Sequence, residues 1–196
     1  MELIQSALPI EADRKPLLDA IAAEIIERIK IQGLARLHFI CTHNSRRSQL
    51  AQAWAAAAAH QYGLPVVCYS GGVEVTACHE RTVAALQRAG FDIASDGAMP
   101  NPRYRLSAQG EVLAVLYSKL YDDPQNPAEG FLALMTCSEA DENCPFIPGA
   151  VRRMPLRYED PKHADGTEGE TAAYDRCSRL IASEIAYIFH KVNPHV

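Results

Sequence analysis

A chain of 196 residues, 48% hydrophobic and 22% charged, is long enough to bury one sizeable core and is ordinary for a globular protein. This composition excludes disordered, collagen-like and coiled-coil architectures, and a net charge of −5 speaks against a role in coating nucleic acid. Met1–Pro16 carries Glu2, Glu11, Asp13 and Arg14 without a continuous apolar core, so it does not read as a secretory signal. The charge-free stretch Ser48–Val73 holds Gln49, Gln52, His60, Gly63 and Pro65 and is a poor membrane span. Six cysteines are too sparse for a disulfide scaffold. They suit a reducing cytoplasm, where thiols serve packing, metals or chemistry.

Pro16 to Gln32 has a helical apolar stripe at Leu17, Ile21, Ile25 and Ile29, with proline in the first turn and Gly33 as the stop. Leu37–Cys41 reads as a buried strand that runs into a polar loop. Ser48–Tyr62, rich in alanine and free of breakers, reads as a helix in which Trp54 and Ala55–Ala59 face a core. Pro65–Tyr69 is a second strand closed by Gly71-Gly72, and Cys78–Ala89 is a helix stopped at Gly90. Between Asp96 and Asn126, prolines and glycine bracket Tyr104–Leu106 and Val112–Tyr117, which suggests a hairpin insertion. Phe131–Cys137, Val151–Leu156 and Ala172–Val192 supply a third strand, a fourth strand and a long closing helix. Strands alternating with helices predict an open α/β fold, a four-stranded parallel sheet covered on both faces. Residues 1–33 read as a helical extension on a domain spanning 34–196.

The chemistry is expected in the loop Cys41-Thr42-His43-Asn44-Ser45-Arg46-Arg47-Ser48. A cysteine at the C-terminal end of a strand faces the crevice where open α/β sheets bind ligands. The next helix offers unpaired N–H groups and the positive end of its dipole. Five residues between Cys41 and Arg47 can curl so that the amides of Thr42, His43, Asn44, Ser45 and Arg46 surround a tetrahedral oxyanion. Arg47 then reaches two of its oxygens as a fork. Such surroundings favour a thiolate at Cys41, with the Ser48 hydroxyl placed to donate to it.

A cysteine, five residues, arginine and serine after the first strand resemble the phosphate loop of the low-molecular-weight protein tyrosine phosphatases. The resemblance runs from about Leu37 to the C-terminal helix and leaves Met1–Gly33 and Asp96–Asn126 outside. His43 replaces the family's usual glycine and should line the entrance, since a left-handed backbone would be costly there. Asn44, which braces the loop in the family, is retained. The resemblance implies that Asp160, ahead of Pro161, is the general acid, with Glu159 as its rival. Lys162-His163 follow where tyrosine phosphatases carry aromatic residues; Tyr117, Tyr121 and Tyr158 remain as candidates for a substrate wall. His79 and His163 read as surface histidines, and Arg152, Arg153 and Arg157 as solvated charges that could rim the pocket.

Cys137 and Cys144, six residues apart, are compatible with a metal half-site, two unrelated thiols or a redox pair, although zinc prefers closer ligands. The run TCSEADENCPFIPGA is similar to that of the thioredoxin-coupled arsenate reductases. This resemblance implies that Cys41 is the nucleophile and that Cys137 and Cys144 relay a disulfide to an external thioredoxin-like dithiol, with no bound cofactor or metal. Ser138–Asn143, polar and lacking a strong structure former, would swing outward, with Pro145 and Pro148-Gly149 as the hinge. His43 and Arg46 depart from the reductase loop, which has glycine and cysteine there, and Gln52 stands where potassium-binding reductases carry glutamate. The expected function is therefore arsenate reduction by a thiol relay. The alternative is a phosphatase that hydrolyses phosphate monoesters through a phosphocysteine, with Cys137 and Cys144 as spectators. A third class is a regulatory oxyanion-binding module. Cys68, Cys78 and Cys177 read as packing residues. Direct transfer between sulfurs requires Cys41 and Cys137 to lie close, because a disulfide needs Cα atoms within about 7 Å.

Overall fold

The computed structural model describes residues 8–143 and 146–196. Helix α1 (Lys15–Gln32) turns Leu18, Ile21, Ala22, Ile25 and Ile29 inward and ends where Gly33 takes a left-handed φ of 71°. Strand β1 (Ala35–Cys41) follows, then α2 (Arg47–Tyr62), β2 (Val66–Gly72) and α3 (Glu80–Arg88). Strands β3 (Asp92–Ser95), β4 (Tyr104–Ala108) and β5 (Glu111–Leu116) come next, then β6 (Phe131–Met135), α4 (Ser138–Asn143), β7 (Ala150–Met154) and α5 (Glu170–Val192).

The main sheet has the order β2-β1-β6-β7, and all three pairings are parallel. Such a sheet must be covered on both faces. The larger apolar layer joins Leu37 and Phe39 of β1 to Leu50 and Trp54 of α2, Ile21 and Ile25 of α1, and Ile181 and Ile185 of α5. A smaller cluster at the other face and the C-terminal end of the strands gathers Ile40, Cys41, Phe131, Met135, Cys137, Ala140 and Ile147. Among the described residues, no helix is long and apolar enough to cross a membrane.

The predicted hairpin is present as β4–β5, with Gln109 and Gly110 at φ of 53° and 84° in its turn. It belongs to a three-stranded antiparallel sheet, because β3 pairs with β4. Three expectations need correction. Gly71-Gly72 do not close β2 but continue it, level with Ile40 and Cys41. A Cβ at Gly71 would lie 2.4 Å from the Tyr121 Cα, and one at Gly72 would lie 2.7 Å from Thr42 O, so only glycine lets these backbones approach. Ser138–Asn143 is not an irregular loop but helix α4, with Asp141 buried. The third strand stops at Met135, two residues before Cys137.

His38 points from β1 toward the smaller face and is fully buried, edge-on to the rings of Tyr69 and Phe131. Burial, aided by the Lys119 charge, pushes its pKa down to about 3. The unfolded chain therefore takes up this proton first, near pH 6.5. The stability due to neutral His38 is complete above that pH and is lost as pH falls from 6.5 toward 3. His38→Leu should flatten this limb, removing about 3 kcal/mol of the wild type's loss at pH 4. Urea denaturation across pH 4–7 checks this; parallel slopes in the two proteins would refute it.

Candidate active site

Cys41 ends β1 and is buried, and its Sγ lies 3.0 Å from Ser48 Oγ in the first turn of α2. Asn44 Nδ2 donates to the same Ser48 oxygen at 2.8 Å, which leaves the serine hydrogen for the sulfur. Between them the chain turns its carbonyls outward, and each is held. Thr42 O accepts from Val73 N and Glu74 N, and His43 O from the Ser118 hydroxyl. Asn44 O accepts from Gln49 Nε2, Ser45 O from His79 N, and Arg46 O from Leu50 N. The amides of Thr42 to Arg46 donate to no protein atom among the described residues. A loop whose carbonyls are bonded and whose amides are left unpaired, opening a helix, has the donors that an anion would need.

The left-handed residue of this loop is Asn44, with φ 47°, and not His43. Asparagine tolerates that region better than most residues, and Asn44 Oδ1 is fixed by Lys119 N at 3.0 Å. His43 therefore escapes the strain expected of it, and its Nε2 meets Glu74 Oε2 at 3.2 Å at the half-exposed mouth. The Ser45 hydroxyl donates to Ala77 O at 2.7 Å. The Arg46 side chain is engaged away from the loop amides. Its guanidinium bonds the Tyr174 hydroxyl at 2.7 Å and Asp165 at 3.2 Å.

Arg47 is the first residue of α2. Its guanidinium donates to Tyr158 O at 3.1 Å and to Asp160 Oδ2 at 2.6 Å, and both side chains of that pair are about nine-tenths buried. Arg47 Nε is buried with no hydrogen-bond partner among the described residues, so the fork keeps a donor for an oxyanion. Asp160 has the extended backbone expected before proline (φ −81°, ψ 118°), and its second oxygen accepts from Lys162 N at 3.0 Å. Glu159 is exposed, and its carbonyl accepts the Cys177 thiol. Of the two acidic residues, Asp160 is the one the fold brings to Arg47.

Cys137 lies just beyond β6, fully buried. Its Sγ accepts from Ala140 N at 3.3 Å and lies 3.4 Å from Thr42 Oγ1, which itself donates to Glu139 Oε2 at 3.0 Å. Thr136 N donates to Ile40 O at 2.7 Å, which puts Cys137 one residue past the position level with Cys41. Cys137 thus packs in the same buried cluster as Cys41, with its sulfur against the first loop residue. Cys144 and Pro145 lie outside the described residues. Helix α4 is clamped through Asp141, which pairs with Arg153 at 2.6 Å and with Arg157. These two arginines were expected to be solvated charges.

Two of the three tyrosines proposed for a substrate wall are withdrawn from it. Tyr117 and Tyr158 are buried, and Tyr117 stacks against Arg103 and Lys119. Burial lowers the Lys119 amine to about 8. A cavity of about 630 Å³ beside the loop is lined instead by His43, Arg46, His79, Met99, Tyr104 and Lys162, among others. His79 also caps α3, accepting from Arg81 N. Burial pushes the Cys78 and Cys177 thiols up to about 12 and raises Cys68 further, as suits packing residues. The Gln52 amide is used between Ser70 Oγ and Cys68 O, so the carboxylate that potassium-binding reductases supply here is absent.

The low molecular weight phosphotyrosine protein phosphatase family model matches residues 36–119. The chain is 31% identical to the arsenate reductase of Bacillus subtilis over 140 residues, which is 70% of this chain and 82% of the relative. It is 29% identical to the arsenate reductase of Bacillus licheniformis over 138 residues, with the same coverage. Among solved structures, an arsenate reductase in its phosphate-binding state superposes with a TM-score of 0.52 at 15% identity, covering 81% of this chain and 99% of the other. A low molecular weight phosphotyrosine phosphatase from Vibrio cholerae gives 0.51 at 16% identity, covering 79% and 93%. With the parallel sheet and the loop after its first strand, these matches show that the chain belongs to the low-molecular-weight protein tyrosine phosphatase superfamily, on its arsenate reductase branch.

Proposed function

We propose that the protein reduces arsenate to arsenite by passing a disulfide through Cys41, Cys137 and Cys144 to an external thioredoxin-like dithiol. The observation that carries this reading is the position of Cys137: buried in the same cluster as Cys41 and in contact with Thr42, the first loop residue after the nucleophile. A spectator thiol has no need to be there.

Arsenate seats in the amides of residues 42–46, and its oxygens compete with Asp160 for Arg47. Cys41 attacks arsenic as a thiolate, and the Asp160 carboxylate, released from the ion pair, takes the proton of one hydroxyl of dihydrogen arsenate and passes it to the other, which leaves as water. The adduct still holds As(V). The Cys137 proton leaves through the Thr42 hydroxyl toward Glu139, and the thiolate attacks Cys41 Sγ. An S–S bond forms, the S–As bond breaks with its electron pair on arsenic, and arsenite departs. Cys144 then attacks Cys137 and expels the Cys41 thiolate; a dithiol reduces the remaining disulfide. Helix α4 stands between Cys137 and Cys144 in the sequence, and in this relay it opens against the clamp of Asp141 on Arg153 and Arg157.

The test is arsenite release with thioredoxin, its reductase and NADPH. Multiple turnover that stops in Cys144→Ser supports the relay. The cavity beside the loop favours a second reading, hydrolysis of a phosphate monoester whose organic group it would hold. Steady aryl phosphate turnover without arsenite release, unaffected by replacing Cys137 and Cys144, would establish that reading instead.

A further inference from the structure

We propose that Arg14, in the N-terminal extension, is a positioning residue that holds the 157–160 segment against Arg47 and so sets the site's affinity for its anion. The inference rests on the anion-site reading above but not on the thiol relay. Arg14 Nε and Nη2 grip the two oxygens of Glu184 on α5 at 2.7 and 3.0 Å, and Glu184 is buried. Arg14 Nη2 also donates to Arg157 O at 2.9 Å, and the guanidinium lies 5.4 Å from the centre of the Tyr158 ring. The next links run to the site: Tyr158 O accepts from Arg47 Nη1, and Asp160 accepts from Arg47 Nη2.

The segment after β7 belongs to no strand and needs such support. Its backbone is tied to the sheet by Tyr158 N, which donates to Thr136 O at 3.2 Å. A fork-to-fork arginine–carboxylate pair fixes direction as well as distance. One buried carboxylate on a long helix thus anchors Arg14, Arg14 fixes the backbone at 157 and the ring at 158, and that backbone fixes the catalytic arginine. Displacements of about 1 Å in such a group can cost up to about 100-fold. If Arg14 were only a fastener between the N-terminal segment and α5, its loss would lower stability and leave anion binding as it was.

The test uses the full chain and inorganic phosphate as the probe, with calorimetric affinity and thermal midpoint measured for wild type, Arg14→Ala, Arg14→Lys and Glu184→Gln. Arg14→Ala should bind phosphate about 5–10-fold more weakly, with Arg14→Lys recovering part of the loss and Glu184→Gln losing about 2–5-fold. A lowered midpoint with phosphate affinity equal to wild type would overturn the proposal. If Arg14→Ala does not fold, Glu184→Gln decides by the same criterion. Wild-type protein that binds no phosphate would overturn the anion-site reading and this proposal with it, whereas phosphate binding without arsenate reduction would overturn only the relay.

Discussion

Replacing Cys137 by serine should abolish arsenite production, by at least about 1,000-fold, while leaving the anion loop able to bind phosphate. The serine hydroxyl can keep the contacts to Thr42 Oγ1 and Ala140 N, so the fold of the loop is not the variable. What is lost is a sulfur nucleophile. An alkoxide is far harder to form than a thiolate, and an S–O bond cannot be passed on to another thiol. The adduct on Cys41 then has only water to meet, which returns arsenate. Arsenite release measured beside phosphate affinity separates this outcome from misfolding. Retention of arsenite production in the variant would remove Cys137 from the pathway.

The second large effect is expected at Arg47. Arg47→Lys keeps one positive charge at the start of α2 but cannot span Tyr158 O and Asp160 together, nor offer a planar fork to two substrate oxygens. Arsenate turnover should fall about 100–1,000-fold, with KM rising as well as kcat falling, because the same group binds the ground state and holds the developing charge. A stopped kcat with unchanged KM would place Arg47 outside the binding step. The ion pair has another consequence. Asp160 is bound by the guanidinium, and in the proposed mechanism an entering oxyanion takes over that partner. Binding and release of the proton donor are thereby one event.

The parts of this protein legible in its sequence are those specified locally. Leu37–Cys41 followed by an alanine-rich helix defines the strand, the loop and the helix start within some twenty residues, and the loop's anion-binding form follows from that order. The hairpin turn at Gln109-Gly110 and the glycine stops after α1 and α2 are of the same kind. The unforeseen features rest on long-range partners. Helix α4 has no apolar stripe in Ser-Glu-Ala-Asp-Glu-Asn; it is held by two arginines from residues 153 and 157 reaching Asp141. The bonds of the Arg46 guanidinium to Tyr174, 128 residues away, and to Asp165 had no local signal. Gly71-Gly72 carried a visible signal that pointed elsewhere: paired glycines usually mark a turn, but here they admit Thr42 and Tyr121 close to a continuing strand. Glu139 on Thr42 and Glu184 on Arg14 had no pattern to announce them.

The relay itself is most directly tested by one arrested turnover. Cys144→Ser protein, fully reduced and freed of thiols, is mixed with arsenate, then acid-quenched and digested for mass spectrometry while arsenite is counted. The account predicts one arsenite per chain and a peptide cross-link joining Cys41 to Cys137. Arsenite with both of those thiols still reduced, or no arsenite from protein that binds the anion, would contradict it.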